Sequence, residues 1–282
     1  MTSSHGRGIA SPMTDTRIIA DDIALARRLA DAAWTAIRPH FRNLNGVDHK
    51  SGTAKSGFDP VTEADRAAEL AMRTIISQER PADGVTGEEF PDTDSTSGWR
   101  WYFDPIDGTR AFVGGLPVWT TLIALVNPEG VPVIGVIDQP VVGERYIGWP
   151  GSAVMETASG TTPIRVSGNP DLRTATIATT DPFIFTPPEQ GAWNHLRATA
   201  RITRYGLDAY AYARVAGGTL DLVAESCLKA WDVAALIPVV RGAGGIATNW
   251  RGEAPALGGQ IVCAASEGIL EQALLALRRA AD

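Results

Sequence analysis

Between residues 22 and 42 the apolar side chains Ile23, Ala26, Ala30, Trp34, Ile37 and Phe41 recur at steps of three and four. That spacing lines them along one stripe and predicts an amphipathic helix that fades after Pro39. Residues 47–60 are rich in Gly, Ser and Lys and read as a loop, after which Thr62 and Asp65 give a capping-box-like start to a second helix ending before Pro81. Short β-type runs follow at 101–103, 120–126, 133–137 and 145–149, divided by Gly and Pro, and predict a largely antiparallel sheet. Past Gly168 strands at 176–178, 202–205, 220–224 and 261–264 alternate with helices at 209–216 and 232–241 and a closing helix from Glu267. This pattern predicts two domains, 17–170 and 171–282, behind a disordered tail at 1–16 that lacks the apolar segment of a signal peptide.

Composition narrows the classes. The 282 residues are 44% hydrophobic and 20% charged, enough apolar surface for a real core, so disorder is excluded as the dominant state. Twenty-five Lys and Arg against 32 Asp and Glu leave a net charge of −7, which repels a polyphosphate backbone and argues against a nucleic-acid partner. The uncharged run 111–128 holds Gly114, Gly115, Pro117 and Pro128 and suits a turn and a buried strand, not a membrane span. Cys227 and Cys263 form no CxxC pair and the four histidines lack zinc spacing. The expectation is a cytoplasmic protein with neither a nucleic-acid nor a membrane partner.

Chemistry concentrates in WYFDPIDGTRAF, residues 101–112. A hydrophobic strand runs into Asp104, Pro105 is expected to fix a turn, and Asp107 follows before Gly108 and Thr109. Two carboxylates held together repel unless a cation lies between them, and hard oxygen ligands select Mg²⁺, Ca²⁺ or Mn²⁺ over zinc. The same aspartates could equally serve only as turn caps. GEEF at 87–90 places Glu88 after a β-like run, with Gly87 permitting close backbone approach; AWDVAAL at 230–236 sets Asp232 at the head of an apolar helix; DPVTEAD at 59–65 adds Asp65. Each alone has an ordinary use, as a solvated loop charge, a residue favoured by the helix dipole and a capping acid respectively. GAGGIA at 242–247 fits a dinucleotide fingerprint, but it follows a helix instead of opening one, so it reads as a helix stop.

Taken in the order DPVTEAD, GEE, DPIDGT, WD, these segments resemble the metal-dependent phosphatases of the inositol monophosphatase superfamily, from about Asp22 to the end. The resemblance implies an α/β (α+β) fold, a layered αβαβα sandwich with an antiparallel N-terminal sheet plus helices and a smaller mixed-sheet C-terminal domain completing the substrate site. It implies two or three Mg²⁺ ions, with Mn²⁺ as a substitute, on Glu88, Asp104, the backbone carbonyl of Ile106, Asp107 and Asp232. It further implies an attacking water oriented by Asp65 and Thr109, with Glu88 counted in the catalytic set, a phosphate facing the N–H groups of Gly108 and Thr109, and a homodimer.

Within that superfamily, DPIDGTRAFVGGLPVWTTLIAL and YGLDAYAYARVAGGTLDLVAESCLKAWDVAALIPVVRGAGG are similar to the histidinol-phosphate phosphatases, with Leu207 in place of a second glycine. In the long loop HKSGTAKSGFDPVT, Lys50, ahead of Lys55, is read as the basic residue near an auxiliary metal. The implied substrate is a small phosphorylated metabolite, L-histidinol phosphate, hydrolysed during histidine biosynthesis. Its ammonium beside a phosphate calls for carboxylates, and Asp208 and Glu225 match those positions, although one could cap a helix and the other be a strand-end charge. Tyr205, Tyr210 and Tyr212 read as core packing in preference to a stack for an imidazole. An inositol or sugar phosphatase is the rival within this class. Outside it stands a metal-carboxylate module that only binds a metabolite, against which the Asp65 and Thr109 pair argues.

Overall fold

The computed structural model describes residues 19–43, 48–49, 60–61 and 63–282. The tail at 1–16, Lys50, Lys55 and the capping role read for Thr62 lie outside these residues. Helices α1 (Ile19–Ile37) and α2 (Glu63–Glu79) pack side by side, and in the chain between them β1 (Asp48–His49) and β2 (Pro60–Val61) form a short antiparallel pair. The first helix starts earlier than its apolar stripe and closes before Pro39, whose ring disfavours helix at the preceding residue.

A seven-stranded sheet runs in the order β3 (Gly84–Gly87), β4 (Arg100–Asp107), β5 (Thr120–Val126), β6 (Pro132–Gln139), β7 (Glu144–Trp149), β8 (Ser152–Thr157), β9 (Gly160–Pro163). Only β3 and β4 pair in parallel. The second sheet has five strands in the order β11 (Ile202–Arg204), β10 (Thr176–Ala178), β12 (Leu222–Leu228), β14 (Gly259–Ala264), β13 (Ile246–Thr248), parallel about β10 and antiparallel about β14. The remaining helices are α3 (Thr109–Val113), α4 (Pro187–Thr199), α5 (Tyr210–Ala216), α6 (Ala230–Ala234), α7 (Leu236–Gly242) and α8 (Glu267–Leu277).

Strand alternation builds three apolar layers from two sheets. On β5, Ile123 and Leu125 face α1 and α2, whose Leu29, Ala33, Met72 and Ile76 cover them, while Leu122 and Ala124 face the other way. That second face meets Val215 of α5, Val233 of α6 and Val239 of α7, and the same helices cover Val223, Ile261 and Cys263 of the second sheet. The outer face of the second sheet, with Leu222, Ala224 and Val262, is closed by Trp193 of α4 and Leu274 of α8. The result is the αβαβα sandwich.

The helix predicted over 232–241 is broken at Ala235 into α6 and α7. Pro238 has no N–H to give the preceding turn, and the chain there lies on the sheet backbone. A Cβ on Gly135 of β6 would come within 2.1 Å of the Ala235 carbonyl oxygen, and one on Gly148 of β7 within 2.3 Å of the Pro238 carbonyl oxygen. These two glycines let the middle helices settle flush on the sheet. Strands β8 and β9 and helix α4 escaped the periodicity because β8 has a single buried position, β9 is fully exposed and α4 opens on Pro187 and Pro188 with a low share of apolar residues.

Candidate active site

The DPID segment is not the turn that the sequence suggested; it continues β4. Asp104 pairs with Leu122 and Asp107 with Thr120, so three steps along β4 match two along β5. That extra residue is a bulge, placed where Pro105 has no N–H for the ladder. Thr121 Oγ1 pins it by donating to the Pro105 carbonyl at 2.7 Å. In a regular strand residues three apart face opposite sides; the bulge brings Asp104 and Asp107 to the same side. Gly108 then adopts φ 85° and hands the chain to α3. A side chain at 108 would be strained by that φ and would also meet Asp208 Oδ2 at 2.9 Å.

Asp232, in the first turn of α6, joins this pair, so that one carboxylate oxygen from each of Asp104, Asp107 and Asp232 falls within 4.8 Å of the others. Asp104 is buried, and its Oδ1 has no hydrogen-bond partner among the described residues. Burial, followed by the nearby charges of Glu88, Asp107, Asp232 and Asp65, holds the Asp104 carboxyl well above the usual range. Burial, with Asp208 and Asp232 next, does the same to Asp107. Asp232 is pushed up to about 7, by burial first and by Glu88 among the charges. Crowded, largely buried carboxylates at this spacing, one of them with an oxygen that no described group satisfies, have the donor chemistry of a hard divalent cation site, and a cation between them would restore the charged forms.

Neighbouring groups fix these carboxylates in place. Asp107 Oδ2 accepts the Ala209 N–H at 2.6 Å and the Thr120 hydroxyl at 3.3 Å, which ties β4 to the start of α5. Asp232 Oδ2 accepts the Lys229 N–H at 2.7 Å. Thr109 Oγ1 donates to the Ile106 carbonyl at 3.1 Å. Glu88 follows β3, and its loop is held by a residue that sequence reasoning passed over. Glu69 of α2 is fully buried; its Oε2 accepts the Glu89 N–H at 2.7 Å and its Oε1 accepts from Arg73 Nε at 2.7 Å, while Arg73 Nη2 donates to the Phe90 carbonyl at 3.1 Å. A Cβ on Gly87 would lie 2.3 Å from Glu69 Oε1, so the glycine is what permits this contact. Glu69 had a helical spacing from Asp65 as its only signal in the sequence.

A cavity of about 250 Å³ opens over these groups. Glu88, Asp104, Ile106, Asp107, Gly108, Thr109 and Asp232 line it, and so do Asp208 and Glu225. Asp65 is buried in the first turn of α2, near enough to Asp104 to act on its charge, but is not among the lining residues. Asp208 sits at φ 47° ahead of α5 and is pushed up to about 7 by burial and by Glu225, against the pull of Arg110. Glu225 has both oxygens engaged, Oε1 by the Thr180 N–H at 2.8 Å and the Thr180 hydroxyl at 2.5 Å, Oε2 by the Tyr212 hydroxyl at 3.0 Å. Sequence reasoning missed Arg110, Thr180, Asp181, Ile184 and Ser226 in this lining. Thr180 and Asp181 follow the carboxyl end of β10, where α/β sheets present ligand-binding loops, and that end was the available signal.

A family model described as the inositol monophosphatase family matches residues 20–282. The bifunctional phosphatase IMPL2 of Arabidopsis thaliana chloroplasts is 39% identical, over 90% of this chain and 74% of its own length. A histidinol-phosphatase of Mycobacterium tuberculosis is 38% identical, over 90% of this chain and 96% of its own. A solved structure of an inositol monophosphatase from Zymomonas mobilis superposes with a TM-score of 0.81 at 41% identity, covering 93% of this chain and 99% of that one. Among the described residues no helix is long and apolar enough to cross a membrane.

Proposed function

Because this chain belongs to the inositol monophosphatase family and is a phosphoric monoester hydrolase, we propose that its substrate is L-histidinol phosphate and its cofactor Mg²⁺. What carries the substrate reading is the place of Asp208. Its carboxylate oxygen lies against Gly108, in the turn whose N–H groups would face the phosphate. With a phosphate on those N–H groups, a cationic amine on the carbon next to the ester carbon would come within reach of that carboxylate. A neutral polyol brings no charge to meet it.

The site's own residues divide the work. Asp104, Asp107 and Asp232, with Glu88 and the Ile106 carbonyl, would hold Mg²⁺, which when bound supplies positive charge to the ester phosphate and acidity to a water. Asp65 would be the base that receives that water's proton, and Thr109 Oγ1, fixed by its bond to the Ile106 carbonyl, would orient the water. Gly108 and Thr109 N–H groups would receive phosphate oxygens. Asp208 would bind the ammonium. Glu225, with both oxygens taken by Thr180 and Tyr212, would act mainly by adding negative charge to the cavity and by holding Thr180 in place.

Phosphate release measured with Mg²⁺ on L-histidinol phosphate, inositol 1-phosphate and fructose bisphosphate tests this. The expected result is a kcat/KM for histidinol phosphate that exceeds the others, and an Asp208→Asn variant that loses roughly 30-fold or more on histidinol phosphate alone, since the ammonium is left unpaired in a partly dry pocket. Faster turnover of inositol 1-phosphate by the wild type would move the substrate to the polyol class of the Zymomonas mobilis relative. Equal losses on all three esters would make Asp208 structural.

A further inference from the structure

A second cavity, of about 580 Å³, adjoins the catalytic one and shares Thr180 and Asp181 with it. Its walls include Phe183, Trp193, Tyr205 and Arg197. Two loops run from one cavity into the other. On the first, Asp181 lines both cavities and Phe183 stands two residues on, joined by the Phe183 N–H donating to Asp181 Oδ1 at 2.9 Å. On the second, Asp208 lines the catalytic cavity and Tyr205, three residues earlier, lines the other. The Gly206 N–H donates to the Thr180 carbonyl at 2.9 Å and keeps these loops side by side.

The chemistry changes in order along this path. Nearest the bulge are the crowded carboxylates; next comes Asp208, and at the neck Asp181, whose Oδ2 accepts from Arg110 at 3.3 Å. Beyond the neck the walls are aromatic. Phe183 is 83% exposed, the most of any large apolar residue among those described, and Tyr205 is 39% exposed. Tyr205 does not wave freely: it meets the fully buried Trp193 edge to face, with ring centroids 6.1 Å apart at 70°. Trp193 itself lines the cavity and has an indole N–H with no acceptor among the described residues. An exposed phenylalanine and a braced tyrosine beside the mouth of a polar site leave ring faces uncovered that a flat, apolar-faced group would cover.

We propose that this second cavity is the subsite for the distal aromatic ring of the leaving group, with Phe183 and Tyr205 as its stacking walls and Asp181 at the neck. It rests on the reading of the substrate as a phosphate ester whose leaving group carries an amine and, one methylene further, an imidazole. Such a molecule is extended and presents phosphate, cation and ring in the order in which the two cavities present cation-binding carboxylates, Asp208 and aromatic faces. A compact polyol ring would end before the neck. Tyr205 thereby parts from Tyr212, whose ring is buried in the core, and from Tyr210, whose hydroxyl donates to Glu144 Oε2 at 2.8 Å.

The test compares kcat and KM on L-histidinol phosphate and on 2-aminopropyl phosphate, which keeps the phosphate and amine but lacks the ring. The wild type should favour the ring-bearing ester. Phe183→Ala and Tyr205→Ala should each raise its KM by about three- to tenfold, an aromatic contact's usual worth, with kcat and the ring-less ester changed by less than about twofold. Tyr205→Phe, which keeps the ring face, should stay near wild type, and thermal melts should show all variants folded. A wild type that prefers the ring-bearing ester, with variants that keep that preference, overturns the subsite and leaves the substrate reading standing. A wild type that turns over both amine esters more slowly than inositol 1-phosphate overturns the substrate reading and the subsite together. Equal losses on both amine esters, or a wild type indifferent to the ring but faster on amine esters than on inositol 1-phosphate, overturn the subsite alone.

Discussion

Asp107 shows how much one carboxylate is asked to do. It closes the β4 bulge, accepts the Ala209 N–H and stands with Asp104 and Asp232 in the only group of three side chains among the described residues spaced to hold a metal ion. Replacing it by Asn keeps the shape and an oxygen for Ala209 but removes the charge. Asp107→Asn is expected to lower kcat/KM by about 10³-fold or more and to abolish most of the rise in Tm on adding Mg²⁺, since stabilisation by a ligand follows its affinity for the folded state. Phosphate release and a melting curve with and without Mg²⁺ check both parts, and near-normal turnover at saturating Mg²⁺ would remove Asp107 from the ligand set.

Elements matter here through the loops that they hold still. The Glu69–Arg73 pair, one turn apart on α2, reaches across to both Glu89 and Phe90 and so anchors the loop that carries Glu88. Breaking a buried pair by removing one charge is destabilising by roughly 3–5 kcal/mol, because the other is left unpaired. Glu69→Gln is therefore expected to lower Tm and, because Glu88 loses its support, to raise the Mg²⁺ concentration needed for half-maximal activity by about tenfold, with kcat recovering at high Mg²⁺. Titration of activity with Mg²⁺ separates these effects. A lowered Tm with an unchanged Mg²⁺ requirement would confine the pair to folding.

On the scale of the whole molecule, the site is assembled where both sheets and the middle helices converge, and its charge must be balanced for the fold to persist. Without a divalent cation, burial raises the folded-state values of Asp104, Asp107, Asp208 and Asp232 above those of the unfolded chain, so the folded state holds more protons. Their contribution to stability is then full below the ordinary carboxylate range and lost as pH rises through the folded values, about 7 for Asp208 and Asp232. A cation held by Asp104, Asp107 and Asp232 would take the place of those protons and cancel that loss. The increment in Tm produced by Mg²⁺ should consequently be larger at about pH 8 than at about pH 6. An increment that shrinks with rising pH would contradict the charge balance drawn here.

The sequence alone determined the elements whose apolar period is long and clean, the alternation that makes β5 face two layers, and the identity of every acidic residue around the cavity except Glu69 and Asp181. Those are local properties: a period of two or 3.6 is written in the order of the residues. The joint order of DPVTEAD, GEE, DPIDGT and WD also carried the family. Only the tertiary structure decided that DPID is a bulge and not a turn, because a turn and a bulge use the same residues and differ in the partner strand, here Thr120 and Leu122 of β5. It alone decided that α6 and α7 part at Ala235, since the break answers to Gly135 and Gly148 lying on another layer. It alone brought Asp208 against Gly108 and set Tyr205 and Phe183 on one cavity. Contacts between residues so far apart in the chain depend on how the layers stack, and no spacing along one segment encodes that distance.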